Sequence, residues 1–368
     1  MIICFDCTPE TKQQLDSLLV DGKYADYSEA IKVAIANQSL LHRKVGTDRS
    51  IVVHEKAQTR GGMGTGKHQS SQLVGVDYPS RKLVEARIPD VFRIPSIPAD
   101  HEVAPLPTDD VVKGHGRPVE HWIFGQYNKL FPAKASCRAI ANILSTQRNN
   151  TELIHLAHGI AADAAELGRY LLHHDLQNGT PRDERLSTAF PTPDPLGDKG
   201  RERYANQFVL SVNKSGRLSS LLVDFKFLQL TSGPQPRPML TAPGWHFASL
   251  PNPVLDEDAG IPLERFSIRE RDFLIDHVIA YVPVEKFAYR TILNAISSGN
   301  DTPDKLKVAL GEYVREPSSY TPSFLDAQRS GAISRMADLD LLVRLRDGVR
   351  VTYQLTEGGR RFLARVKT

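Results

Sequence analysis

Apolar positions at the start of the chain follow first a strand pattern and then a helical one. Residues 2–7 are apolar-rich, and Thr8-Pro9-Glu10 then starts a helix, with Thr8 as its cap and Pro9 at its first position. Asp21-Gly22 ends this helix, and Ser28 caps a second one. The apolar positions at helical spacing are Leu15, Leu18 and Leu19 in the first helix and Ile31, Ala34 and Ile35 in the second. The pattern predicts a strand followed by two helices.

The middle of the chain first loses this periodicity and then regains it. From Val45 to Gly116 the sequence is rich in glycine, proline, serine and charge, which predicts a linker or an extended arm. Three helices are predicted next, and a β-hairpin is predicted around Asn213-Lys214-Ser215-Gly216. The helices are Trp122 to Leu130, Ser136 to Leu144 and Glu152 to Leu172, and the strands are Phe208 to Leu210 and Leu221 to Leu230.

The last part of the chain combines three helix signals with a strong hairpin signal. Asp347-Gly348 is a turn sequence that joins the predicted strands Leu341 to Arg346 and Val349 to Leu355. A final helix is predicted after Thr356. The helices before the hairpin run from Glu285 to Ser297 and begin again at Thr302-Pro303 and at Thr321-Pro322.

Length and composition place these elements in several domains of one α+β protein. A chain of 368 residues is longer than one core usually serves, and its 40% apolar content can give each domain a core. The cysteines Cys4, Cys7 and Cys137 are too few for a disulfide framework, and no membrane span or signal peptide is evident, so we expect a cytoplasmic protein. The expected parts are residues 1–42, a linker at 43–116, a mixed helical and β-hairpin central domain at 117–262 and a C-terminal domain at 263–368.

The N-terminal strand and its two helices resemble the ribbon-helix-helix family. The matching residues are Phe5, Thr8-Pro9-Glu10, Leu15, Leu18, Gly22, Tyr24 and Ser28-Glu29-Ala30-Ile31. A segment of this size cannot bury a core alone, so the resemblance implies that two chains pair their strands into a homodimer. The residues expected to form the dimer core are Ile3, Phe5, Leu15, Leu18 and Ile31.

The outer face of that strand departs from the DNA-binding members of the family, whose ribbon reads bases in the major groove. Alternation places Ile2, Cys4 and Asp6 outward, where Asp6 would repel phosphates and Ile2 offers no hydrogen bond. We therefore favour dimerisation or protein docking for this segment, with DNA reading as the alternative. Cys4 and Cys7 point to opposite faces of a strand, so core packing explains them better than a metal or redox site.

Residues 284–366 resemble a winged-helix regulator. The resemblance rests on Tyr353 to Gly359 followed by Arg360-Arg361-Phe362-Leu363, where the second strand of a wing runs into a capped final helix. It implies a third helix in the major groove and a wing on the neighbouring backbone, with protein docking as the alternative use of the fold. Residues 326–368 carry nine Lys/Arg against five Asp/Glu, whereas residues 1–44 carry five against six. The candidate DNA contacts are Gln328, Arg329, Ser334 and Arg335 on the helix and Arg346 and Arg350 at the wing.

Two patterns in the middle of the chain approach ligand-binding motifs without completing them. Gly61 to Lys67 nearly matches the phosphate-binding loop G-x-x-x-x-G-K-[ST], but His68 stands where a hydroxyl should bind magnesium. Glu152, His155 and His158 share a helical face, but carboxylate-bridged metal sites in helical bundles require this motif twice. We therefore interpret the first pattern as a flexible glycine loop and expect neither a cofactor nor a metal.

Asp224-Phe225-Lys226 faintly resembles a nuclease pattern in which two carboxylates hold a metal and a lysine assists the attacking water. On a strand, Asp224 and Lys226 would share one face, as that chemistry needs. An earlier acid is present at Pro193-Asp194, but the first strand of the hairpin has Asn206 and Gln207 where the acid belongs. Charge alternation on a half-buried strand is the alternative explanation.

Together the patterns predict a dimeric, non-enzymatic DNA-binding protein without catalytic residues. Double-stranded DNA and a second copy of the chain are the expected partners, and other protein subunits are candidate further partners. Transcriptional regulation is the simplest role. A DNA-binding subunit of a larger prokaryotic assembly for antiviral defence, transposition or partition is a second form of the same hypothesis. A metal-dependent nuclease centred on Asp224 and Lys226 is the competing class.

Overall fold

The structure is a computed structural model in which part of the chain is described. The expected ribbon-helix-helix segment, with its dimer residues Ile3, Phe5, Leu15, Leu18 and Ile31, lies outside the described residues, as does the glycine loop at residues 61–68. Both therefore stay predictions. The described residues are 87–107, 127–146, 153–182, 184–191, 198–212, 218–231, 237–256, 264–311 and 322–366.

These residues form an α+β structure with ten α-helices and three two-stranded antiparallel sheets, as the coarse fold class predicted. The helices are α1 (Phe131–Thr146), α2 (Leu153–Gln177), α3 (Lys199–Tyr204), α4 (Leu221–Asp224), α5 (Ala242–Ser249), α6 (Ile268–Tyr281), α7 (Pro283–Ser297), α8 (Pro303–Gly311), α9 (Pro322–Asp338) and α10 (Glu357–Val366). The strand pairs are β1 (Ser211–Val212) with β2 (Leu218–Ser219), β3 (Leu228–Leu230) with β4 (Pro238–Leu240), and β5 (Leu342–Asp347) with β6 (Arg350–Leu355).

The predicted strand from Leu221 to Leu230 was wrong over its first half. Ser220 caps α4 there, because its Oγ accepts a hydrogen bond from the Val223 amide at 3.3 Å. Lys226 then adopts a left-handed backbone conformation with φ 56°, and β3 begins only at Leu228. The predicted helix from Trp122 to Leu130 was also wrong at its end, since residues 127–130 are not helical.

The described end of the expected linker, residues 87–107, is an arm that lies against the helices. Phe92 is fully buried, and the Asn142 amide of α1 donates to the carbonyls of Val91 and Arg93, both at 2.9 Å. Further along, the Trp245 indole donates to the Glu102 carbonyl at 2.9 Å. Side chains of α1 and α5 thus satisfy the backbone carbonyls of an extended segment.

Two buried cations of α1 hold the loop between α5 and α6. Lys134 and Arg138 are one turn apart and both are fully buried. The Lys134 ammonium donates to the carbonyls of Phe247 and Leu250 at 2.5 and 2.7 Å, and it lies 2.9 Å from the carboxylate of Glu270. The Arg138 guanidinium binds the Asp256 carboxylate at 2.5 and 2.6 Å. The carbonyls at the end of α5 therefore receive charged donors from α1.

A second buried ion pair fixes α9. The Arg335 guanidinium binds both oxygens of Glu285 on α7, at 2.5 and 3.0 Å, and donates to the Tyr127 carbonyl. One turn further along α9, the Asp338 carboxylate accepts from the Leu130 amide at 3.1 Å and from Lys129 at 3.3 Å. Residues of the expected central and C-terminal domains thus meet in one hydrophobic core.

Replacing Arg335 by alanine should lower the free energy of unfolding by about 3–5 kcal/mol, because Glu285 would remain as an unpaired buried carboxylate. Arg361→Ala is the control, since Arg361 is exposed on α10, and it should change stability by less than about 0.5 kcal/mol. Chemical denaturation of both variants measures the difference. Equal stabilities for the two variants would contradict a structural role for Arg335.

Acid should destabilise the fold through His277. Burial lowers the pKa of its imidazole to about 4, although the Phe225 carbonyl, which accepts from Nε2 at 2.7 Å, opposes this effect. The unfolded chain takes up this proton near its ordinary pKa of 6.5, so the free energy of unfolding should fall as the pH drops from about 6.5 to about 4. His277→Gln keeps a donor for the carbonyl but does not titrate, so its denaturation profile should lack this component. If the free energy of unfolding changed with pH in the same way in the wild type and the variant, His277 would not be the cause.

Candidate nucleic-acid interface

The C-terminal residues arrange three helices, a hairpin and a last helix in the order that the sequence predicts. Helices α8 and α9 start at Pro303 and Pro322, as expected. The β5–β6 hairpin turns at Gly348 with φ 58°, the left-handed conformation that the Asp-Gly turn requires. On its other edge, β6 is joined to the connection between α7 and α8, because the Tyr353 amide donates to the Asp301 carbonyl at 2.7 Å.

Close packing at the start of α10 fixes the base of the hairpin. A Cβ atom at Gly359 would lie 2.1 Å from the Leu341 carbonyl oxygen, so only glycine fits there. The hydroxyl of Thr356 caps α10 by accepting from the Gly359 amide at 3.1 Å. The outer part of β5 is exposed beyond this base, and the hairpin projects from the core.

The two faces of the hairpin differ in chemistry. In the observed register Arg344 pairs with Tyr353 and Arg346 pairs with Val351, so both arginines lie on one face. Arg350 pairs with Asp347 and therefore lies on the opposite face, which also carries the exposed side chains of Val343 and Leu345. The positive charge of β5 is thus concentrated on a single side.

Arg329 of α9 joins the two arginines of that side, and we call Arg329, Arg344 and Arg346 the arginine cluster. All three arginines act on Tyr353: burial raises the pKa of this phenol, and their positive charges lower it. Arg329 is held in place by the Pro303 carbonyl at 2.9 Å and by the carboxylate of Asp326 at 3.2 Å. Sequence reasoning missed Arg344, although alternation from Arg346 could have identified it.

Two of the predicted contact residues lie inside the protein. Arg335 is 1% exposed and Gln328 is 4% exposed, because these positions, two helical turns apart, share the face of α9 that packs on the core. Neither side chain is placed to reach a phosphate. Ser334 is half-buried, and Arg346 and Arg350 are exposed on opposite faces of the hairpin. The structure therefore brings only part of the predicted set together.

The outer face of α9 carries short side chains. Asp326 interrupts this face, and its carboxylate lies 3.4 Å from Lys307 of α8 and 3.2 Å from Arg329. Lys305 and Lys307 are exposed on the neighbouring helix α8. Among the α9 side chains that the structure describes, the exposed ones are Ser323, Ala327, Ser330 and Ala337.

The residues of the nuclease hypothesis do not lie on a strand. Asp224 ends α4 and is 4% exposed, and Lys226 follows it in a turn, where its ammonium donates to the Pro107 carbonyl at 3.0 Å. The shared strand face that the chemistry needs is therefore not formed. Within the described ranges, no group of three or more His, Cys, Asp or Glu residues could hold a metal, and His155 and His158 are exposed on α2.

Comparisons of the chain with protein-family models, with curated proteins and with solved structures found no match. In the part of the chain that the structure describes, no helix has the length and apolar character needed to cross a membrane.

Gln328→Met should leave the free energy of unfolding unchanged or raise it by about 1 kcal/mol. Its buried Nε2 has no hydrogen-bond partner among the described residues, so methionine removes an unsatisfied donor at similar volume. The control is Asn252→Leu, because the Asn252 amide is equally buried but donates to the Arg265 carbonyl at 2.8 Å. Thermal denaturation should show a loss only for Asn252→Leu. A comparable loss for Gln328→Met would indicate that the Gln328 amide makes a stabilising contact.

Proposed function

We propose that this protein binds double-stranded DNA through a C-terminal winged helix formed by α7 to α10 and the β5–β6 hairpin. The order of these elements supports the proposal, since a winged helix consists of a three-helix unit followed by a hairpin wing. In this arrangement α9 lies in the major groove and the hairpin lies on the adjacent backbone.

The arginine cluster is the observation that carries this proposal. Arg344 and Arg346 are exposed on one face of a projecting hairpin, and Arg329 of α9 acts on the same Tyr353 while its guanidinium is paired with Asp326. Guanidinium groups bind phosphate oxygens with two parallel hydrogen bonds, which also orient the duplex.

The structure changes the set of proposed contacts. Arg329, Arg346 and Ser334 stay in the set and Arg344 joins it, whereas Gln328 and Arg335 leave it because both are buried. Arg350 becomes a secondary candidate, since it lies on the other face opposite Asp347. The proposal therefore depends on the face that Arg344 shares with Arg346.

The proposed assembly is a cytoplasmic homodimer joined through residues 1–42, which places two winged helices in one particle. Its role would be transcriptional regulation or DNA binding within a larger assembly for defence, transposition or partition. We propose a binding protein and not a nuclease, because Asp224 and Lys226 lack the shared strand face on which that hypothesis rested.

The double variant Arg344→Ala/Arg346→Ala should bind duplex DNA about tenfold more weakly than the wild type, with a salt dependence smaller by about two counterions. Arg350→Ala is the matched control, because it removes an exposed arginine from the opposite face of the same hairpin. Fluorescence anisotropy titrations at several salt concentrations measure both quantities.

Equal affinity of the double variant and the wild type would refute DNA binding by the hairpin. An equal loss in Arg350→Ala would place the contact at the tip of the hairpin and not on the face of the arginine cluster. Circular dichroism of each variant checks that the fold is retained.

A further inference from the structure

We infer that the arginine cluster and the outer face of α9 hold duplex DNA by its phosphates and do not read its base sequence. The inference rests on the proposed function and specifies its substrate class: double-stranded DNA of any sequence. Phosphate contacts fix the position of a duplex, whereas specificity requires side chains that reach the edges of the bases.

Among the described residues, the outer face of α9 carries no exposed arginine, lysine, asparagine or glutamine, and its acidic side chain, Asp326, is paired with Lys307 and Arg329. The bidentate contacts that discriminate most strongly in the major groove are arginine or lysine on guanine and asparagine or glutamine on adenine. Acidic residues accept from cytosine, serine bonds to more than one base, and alanine packs on the thymine methyl group. The described exposed positions, Ser323, Ala327, Ser330 and Ala337, end at a hydroxyl or a methyl group. Serine hydroxyls can donate to phosphates, and short side chains let the helix approach the backbone closely.

The longer polar side chains of α9 are engaged within the protein. Arg335 is bound to Glu285 in the interior, and Gln328 is 4% exposed. Arg329 donates to the Pro303 carbonyl at 2.9 Å and pairs with Asp326 at 3.2 Å, and its side chain is 14% exposed. Base readout by any of them would require these contacts to break.

The positive charge lies beside the helix instead of on its outer face. Arg344 and Arg346 are exposed on β5, and Lys307 is exposed on α8, where its ammonium lies 3.4 Å from the Asp326 carboxylate. A duplex against α9 would thus meet these cations beside the helix, where a phosphate backbone can lie. This distribution of charge favours backbone binding.

The test uses the full chain and a panel of duplexes with equal length and base composition but unrelated sequences. For each duplex, the dissociation constant of Arg344→Ala/Arg346→Ala is divided by that of the wild type. The ratio cancels any sequence preference that residues 1–42 contribute. We expect the double variant to weaken binding to every duplex by the same factor within about twofold, as for a phosphate contact.

A second variant tests the helix in the same panel. Ser330→Ala should likewise shift all dissociation constants by one common factor. A wrong base pair at a position that is read directly weakens affinity by about fivefold or more. Ratios that differ by that amount between duplexes, for either variant, would overturn the inference while leaving DNA binding intact. If the wild type bound none of the duplexes, the proposed function itself would be overturned.

Discussion

The buried pair of Arg335 and Glu285 is the interaction on which the C-terminal structure depends. It joins α9 to α7 and, through the Tyr127 carbonyl, to the segment before α1. Both charges are buried away from water, so losing either one would leave the other as an unpaired and destabilising buried charge. Because Arg335 holds one face of α9 against α7, the opposite face of α9 is the one exposed to solvent. That face carries Ser330 and Ala327.

The same principle organises the centre of the protein. Lys134 and Arg138 lie on one helix and supply charged donors to the carbonyls at the end of α5, to Glu270 and to Asp256. Burial lowers the pKa of Lys134 to about 8, with the nearby carboxylate of Glu270 opposing the shift. Loops that would otherwise bury unsatisfied backbone groups are thus held by ion pairs, which need exact geometry and therefore favour one arrangement of the helices.

In the proposed interface, the packed base of the hairpin provides stability and the projecting part of the hairpin provides the DNA contacts. The ion pairs and the packing of Gly359 on the Leu341 carbonyl hold α9 and the root of the hairpin. The exposed arginines lie beyond that root, where binding a phosphate costs little desolvation of the core. The stability of the fold and the proposed recognition of DNA therefore use different arginines, although the sequence places Arg335 and Arg346 close together.

The sequence by itself determined the local elements of the described C-terminal part: the starts of α8 and α9 at proline, the Asp347-Gly348 turn and the capped start of α10. These depend on backbone preferences of neighbouring residues, so a short window contains the cause. Only the tertiary structure decided that Leu221 begins a helix, that Arg335 turns inward and that Arg329 joins Arg344 at Tyr353. Glu285, which holds Arg335, is fifty residues away in the chain. Which arginine is buried is therefore set by a distant partner, because a buried charge needs its counter-charge in space and not in sequence.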